Sequence, residues 1–307
     1  MCRFVAIEHR HLRSASMTTR TTPTADRLLH ALDLPSRTWW RLVGRTVDLD
    51  SSEHVFLRGP MNRRHTVGDA WFDDLDRSGR VRPISADDGL FDDMSVLDGP
   101  DFTATQLHPL VRDFYEHTAR WRMEVWAQWN PLLAPGAAAI AGLFGRRVRQ
   151  LALPTAPLSV SRGMTSRVRV IDDVDGHRAG AAWLRTLRLD GSAVYSGFYR
   201  SAMLPGSAQP HVAVVFPLEA GNVGVYLRPR AEPDGSLVLT SRSRTFGEDG
   251  AYVTVVLGRR TYAARAPLRE RIHVFVDDEG ELRTDHALDL GPMRALRLHY
   301  RLEQRPS

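Results

Sequence analysis

The sequence predicts an α+β fold: a large curved antiparallel sheet or partial β-barrel, with N-terminal amphipathic helices packed on it. Three observations carry this. After Pro154 apolar residues recur at period two, in about ten runs of strand length. Asp175-Gly176, Asp190-Gly191, Asp234-Gly235, Asp249-Gly250 and Glu279-Gly280 punctuate those runs in the manner of hairpin turns. No helical run stands between them, so successive strands pair antiparallel, and a sheet of that size has to curl or close.

The chain divides into a partly disordered, acidic N-terminal extension, residues 1–104, and a helix-plus-sheet domain, residues 105–307. Arg3, Arg10, Arg13 and Arg20 lie near the start, but no apolar stretch of a secretory signal follows them. Met17 opens Thr-Thr-Arg-Thr-Thr-Pro, which reads as an ordinary protein start. Residues 25–32 suit a short helix with Leu28, Leu29 and Leu32 on one side, and residues 54–57 a short strand. Residues 69–101 hold ten aspartates interleaved with Trp71, Phe72, Leu90, Phe91 and Met94. They lack the ligand spacing of a calcium loop and read as a segment lying on the domain by its aromatics.

Over residues 108–129 Val111, Phe114, Tyr115, Thr118, Trp121, Val125, Trp126 and Trp129 recur at three- and four-residue spacing, which predicts one long helix opened by Pro109. A second helix is predicted over 137–151, with Arg146, Arg147 and Arg149 near its C-terminal end. Strands are predicted over 167–171, 182–189, 193–199, 212–216, 223–228, 236–242, 252–257, 271–276, 281–288 and 294–302. The last alternates most cleanly, with Leu296, Leu298, Tyr300 and Leu302 on one face and Arg297, His299 and Arg301 on the other.

Composition bounds the chemistry. All 41 of the Lys+Arg positions are arginine, and the single cysteine is Cys2. Schiff-base lysine chemistry and a P-loop lysine are therefore excluded. The lone cysteine fits a reducing, cytoplasmic compartment. The net charge of +5 is a small excess of 41 basic over 36 acidic residues, spread along the chain, so no nucleic-acid partner is expected. The longest weakly polar run, 132–144, is too short to span a bilayer. No Gly-x-Ser-x-Gly, His-Glu-x-x-His, Gly-x-Gly-x-x-Gly or Cys-x-x-Cys occurs, and neither metal nor cofactor is expected.

Trp183-Leu-Arg185, the Asp190-Gly191 turn, Tyr195-Ser-Gly197, the strand 271–276 and the closing Leu290-Gly-Pro-Met-Arg-Ala-Leu-Arg-Leu-His-Tyr300-Arg-Leu302 come in a telling order. That order resembles the domain at the C-terminus of YndJ-like proteins, which also occurs attached to saccharopine-dehydrogenase-like reductases. Residues 107–129 look like a segment of actinobacterial proteins. The resemblance covers roughly residues 105–303 and implies no activity, so no residue role is carried over from it.

A helix laid on a curved sheet encloses apolar space, so the leading expectation is non-catalytic binding of a small, largely apolar or amphiphilic ligand. Trp126, Arg185, Tyr195, Tyr199, Tyr226 and Arg228 are the candidate ligand-binding residues, with arginine gripping a polar end. An alternative is an enzyme using His273, His286 or His299 with a carboxylate; on one strand Asp285 and His286 point to opposite faces and do not pair. A third is a protein- or membrane-surface module using the acidic 69–101 segment or the basic end of 137–151.

Overall fold

The computed structural model describes residues 37–62, 70–130, 164–187 and 193–304. The predicted helices at 25–32 and 137–151, and Arg146, Arg147 and Arg149 with them, lie outside the described residues. Thirteen strands form one antiparallel sheet: β1 (Arg45–Val47), β2 (Trp121–Trp129), β3 (Met164–Asp172), β4 (Arg178–Leu187), β5 (Ala193–Ala202), β6 (His211–Leu218), β7 (Gly221–Ala231), β8 (Leu237–Thr240), β9 (Gly250–Leu257), β10 (Arg260–Arg265), β11 (Leu268–Val276), β12 (Leu282–Leu290) and β13 (Met293–Gln304). The helices among the described residues are α1 (37–43), α2 (Ala70–Arg77) and α3 (Pro109–Glu116).

The strand order is β1-β10-β9-β7-β6-β5-β4-β3-β2-β13-β12-β11-β8, and β8 also pairs with β7. The sheet thus curls until its far end meets its own middle. The edge of β7 is shared: Gly221–Tyr226 pairs with β9, and Arg228–Ala231 pairs with β8. The described pairing of β2 with β3 is the single register Met123↔Met164. All ten predicted strands are present. The turn glycines Gly176, Gly235 and Gly280 have φ of 81°, 79° and 80°, the left-handed region where glycine carries no side-chain penalty.

Two expectations change. The long helix over 108–129 ends at Glu116, and β2 begins at Trp121 after a short 3-10 turn at Thr118–Arg120. The apolar positions Trp121, Met123 and Val125 are buried at period two, so the second half of the segment pairs with β13 instead of continuing the helix. The predicted strand at 54–57 is a 3-10 turn, Val55–Leu57, with Phe56 and Leu57 buried.

Burial explains the sequence patterns. The inner face of the curl carries the main core: Trp183, Val214, Val225, Leu227, Leu239, Val274, Leu282, Leu298 and Leu302 belong to one continuous cluster. Leu90, Phe91, Met94, Leu97, Phe102, Val111, Phe114 and Tyr115 join that cluster, so residues 90–115 plug one end of the curl. His108 N–H donates to the Gly235 carbonyl at 2.8 Å, and the Trp121 indole donates to Asp113 at 2.9 Å, fixing the plug to the β7–β8 turn and the start of β2.

Two further clusters cover the outer face. Phe56 and Leu57 pack on Tyr226, Tyr252 and Ala213, while Trp71 and Phe72 pack on Ile171, Leu184, Phe198 and Val215. Covered on both sides, β6 is buried from His211 through Pro217, and it reads as an unbroken apolar run. Strand β13 has one open face and alternates. The aspartates of the acidic stretch answer arginines of the domain: Asp92 pairs with Arg178, Asp101 with Arg228, Asp87 with Arg120, and Asp76 with Arg169 at 3.4 Å.

Candidate functional site

The inner face beyond the plug is not uniformly apolar. Counting inward from the plug end, β4 presents Ala181, Trp183 and Arg185; β12 presents Leu282, Thr284 and His286; β13 presents Leu302, Tyr300 and Leu298; β11 presents Val274, Ile272 and Glu270. Each polar residue has a core residue, or a residue packed against the core, two positions away on at least one side.

Arg185 is 9 % exposed. Its guanidinium carbon lies 3.7 Å from the centre of the Trp183 ring and 5.7 Å from that of Tyr300. The charge of Arg185 acts on the Tyr300 hydroxyl. The cation therefore sits among aromatic faces, an environment that favours it by roughly 0.5–2 kcal/mol per ring and orients its fork. Trp183 is held in turn by donating its indole N–H to Ser166 at 2.6 Å, across the β3–β4 pair Val168↔Trp183. The Tyr199 ring lies 5.5 Å from Trp183, and Phe114 of the plug lies 6.0 Å from it.

Burial pushes the Tyr300 and Tyr115 hydroxyls above the ordinary tyrosine range, and the charge of Arg185 pulls both back part of the way. Both therefore stay protonated donors at neutral pH. Glu270 and His286 are diagonal neighbours on β11 and β12, with His286 Nε2 3.0 Å from Glu270 Oε2 and side-chain exposures of 19 % and 11 %. The Glu270 carboxylate is felt at Tyr300, which links this pair to the Arg185 group. The indole nitrogen of Trp129 is buried at the same end, without a hydrogen-bond partner among the described residues.

The sequence candidates distribute as follows. Arg185 and Tyr199 meet on the inner face. Tyr195 is register partner of Arg185 on β5, and its side chain lies outside the described residues. Trp126 belongs to the opposite face of β2, 52 % exposed, because the segment is a strand and Trp126 falls out of phase with Val125. Tyr226 is fully buried on the outer side of β7, where its hydroxyl donates to the Phe56 carbonyl at 2.6 Å. Arg228 is half-exposed and paired with Asp101. Of the histidines, His273 and His299 belong to the outer face: His273 bonds Ser236 at 2.9 Å and His299 bonds Asp285 at 2.8 Å. His286 alone of the three points inward. Sequence reasoning missed Ser166, Glu270 and Tyr300; their signal was a polar residue standing in an apolar register.

Among the described residues no three His, Cys, Asp or Glu side chains converge on a metal-sized space, and no helix is long and apolar enough to cross a membrane. A groove of about 410 Å³ lies outside the core along Leu107, Pro109, Arg112 and Glu116, lined by groups that already pair with one another, Arg112 with Glu116 at 2.9 Å.

Fold and site together define a class: a strongly curled antiparallel sheet plugged at one end, with an arginine–aromatic group and a Glu–His pair on its inner face. Comparison with protein-family models, curated proteins and solved structures finds no match to this chain.

Proposed function

We propose that this protein binds a small, largely apolar ligand with an anionic head inside the curled sheet, with Arg185 as the anchor. The observation that supports this is the placement of Arg185: a buried guanidinium on an inner face whose other positions are mostly apolar, stacked on Trp183 and against Tyr300. A buried arginine is expensive to hold, and replacing such a group by an apolar one is often neutral or stabilising, so stability alone gives no reason for it. A carboxylate or phosphate accepts two parallel N–H bonds from a guanidinium and gives the site orientation as well as affinity. Trp183, Tyr199 and the inner-face leucines Leu296 and Leu298 supply apolar wall for the tail.

The test is calorimetric titration of delipidated protein with sodium dodecanoate and, separately, with dodecanol. Wild-type protein binds both. Arg185→Met keeps the apolar reach, removes the charge, and weakens dodecanoate by roughly tenfold to a hundredfold, the range for a lost charged hydrogen bond. Dodecanol affinity stays within about twofold. Equal loss of both ligands, or unchanged dodecanoate affinity, would remove Arg185 as anchor. Failure of wild-type protein to take up either ligand would remove the binding reading.

A further inference from the structure

We propose that Glu270 and His286 are an acid–base pair acting on the ligand held at Arg185, so that the interior carries out proton transfer at carbon. The substrate class is an amphiphilic carbonyl compound with an acidic C–H beside the carbonyl. The inference rests on the binding reading above.

The pair is built in a place that stability does not explain. Glu270 lies between Leu268 and Ile272 in the inward register of β11, and His286 between Thr284 and Leu288 in that of β12. Leu268, Ile272 and Leu288 all pack against the main core. A carboxylate and an imidazole there bury two ionisable groups where leucines would pack, and such pairs contribute little net stability. Contact of Nε2 with the Glu270 carboxylate orients the ring and stabilises the imidazolium that forms when it takes a proton. It leaves Nδ1, which makes no hydrogen bond among the described residues, as the proton-accepting atom. Tyr300 is the diagonal neighbour of His286 on the adjoining strand, since His286 pairs with Leu298 and Thr284 with Tyr300. Strand geometry sets such neighbours about 7–8 Å apart.

The step balances within the substrate. His286 Nδ1 takes the proton from the carbon beside the carbonyl. The C–H pair becomes the enolate double bond, and the carbonyl π pair moves onto oxygen. The Tyr300 hydroxyl and the Arg185 guanidinium face that oxyanion as donors, and their charge stabilisation grows as the negative charge develops. Where the substrate carries a β,γ double bond, His286 then returns the proton to the vinylogous carbon, giving the conjugated isomer, while return to the original carbon regenerates the substrate. No oxidant, reductant or second substrate enters. The titratable groups set beside His286 are Glu270 on the neighbouring strand β11, in contact with Nε2, and Tyr300 on β13, its diagonal register neighbour.

A substrate-independent probe exists: 5-nitrobenzisoxazole. A positioned base removes its ring C–H proton, the freed pair forms the nitrile, and the N–O bond breaks to release a coloured phenolate. The wild-type full-length protein is expected to open the ring with saturation kinetics, a rate that falls on the acid side of the pH profile as the base is protonated, and inhibition by dodecanoate. His286→Gln lowers kcat by about a hundredfold or more, with dodecanoate affinity within about twofold of wild type. Glu270→Gln, a positioning change, lowers kcat less than His286→Gln does, and its pH–rate profile differs from that of wild type. Should His286→Gln fail to fold, the imidazole nitrogen shifts of wild-type protein and Glu270→Gln are compared instead; identical titrations overturn the pair. Dodecanoate binding with ring opening no faster than free imidazole, or with His286→Gln at the wild-type rate, overturns the acid–base inference and leaves the binding reading intact. Absence of dodecanoate binding overturns both.

Discussion

His211 shows what burial does to one side chain. It opens β6 at 2 % exposure, and its Nδ1 is buried without a hydrogen-bond partner among the described residues. Burial lowers its pKa below the ordinary 6.5, against the smaller opposing pull of Asp249. The sign follows from linkage. With the folded value below the unfolded one, the unfolded chain binds more protons as pH falls through about 6.5, so stability is lost on acidification and is fully present above that pH. His273, also lowered mainly by burial, acts in the same direction. The urea midpoint of the wild-type protein is therefore expected to fall between pH 7.5 and pH 5.5, and His211→Gln to fall less over the same interval. Equal falls would show that His211 is not the group responsible. At this scale the candidate site was half legible. Arg185 and His286 stood out as polar residues on apolar strands. Tyr300 was placed on the apolar face of the last strand but read as core, and Glu270 was not singled out, because register partners on other strands decide what an inward residue meets, and one sequence does not display register.

At the scale of elements, residues 108–129 show why a strong periodicity misled. Val111, Phe114, Tyr115 and Thr118 fit a helix, and Trp121, Met123, Val125 and Trp129 fit a strand, but Trp121 and Val125 also continue the three- and four-residue spacing. No glycine or proline separates the halves; the helix stops at His117, with φ −137° and ψ 42°. Pairing of β2 with β13 along nine residues outweighs the continued helix, a tertiary effect that local propensity does not carry. Of the strands from β3 onward all but β10 were legible, helped by Asp-Gly and Glu-Gly turns at five of their junctions, whereas β10, joined to β9 through Gly258-Arg259, was missed. Close packing against the end of α3 gives a testable consequence. Leu90 N–H donates to the Tyr115 carbonyl at 2.8 Å, and a Cβ on Gly89 would stand 2.1 Å from the Glu116 carbonyl oxygen. The obstacle is backbone, so Gly89→Ala has to shift the plug. It is expected to cost about 2–4 kcal/mol, by analogy with overpacking of a tight core. Gly79→Ala meets no atom within 4 Å and has only its φ of +72° against it, so it is expected to cost about 1–2 kcal/mol. Chemical denaturation of the two variants, read by tryptophan fluorescence, checks the order; Gly89→Ala no worse than Gly79→Ala would mean that the plug yields freely.

At the scale of the whole molecule, the sequence implied a sheet that had to curl, and the pairing of a four-residue strand is what brings its far end back to β7. Strand β8 is paired on both edges: Leu239 lies opposite Pro229 of β7 and Ile272 of β11, and Leu237 opposite Ala231 and Val274. Both leucines are at most 2 % exposed and lie in the main core beside Val274 and Leu227. The acidic N-terminal third then holds the curl from outside and at one end, through buried aromatics far more than through its ion pairs, since exposed pairs contribute about 0–1 kcal/mol each. Shape and site are coupled by this arrangement, because Glu270 lies on β11, which β8 ties to β7, while Arg185 lies on β4 across the interior. Leu239→Ala removes a buried side chain at the join and is expected to cost about 2–5 kcal/mol. The loss should be local before it is global. Hydrogen exchange measured on the variant should show amides of β8, of β11 and of the second half of β7 opening together. Those of β3 and β4, paired through nine registers at the opposite side of the curl, should keep their wild-type protection under the same conditions. Uniform acceleration across all strands would mean instead that the curl unfolds as one unit and that β8 is not a separable join. The selective pattern would identify β8 as the element whose opening exposes the Glu270 side of the interior.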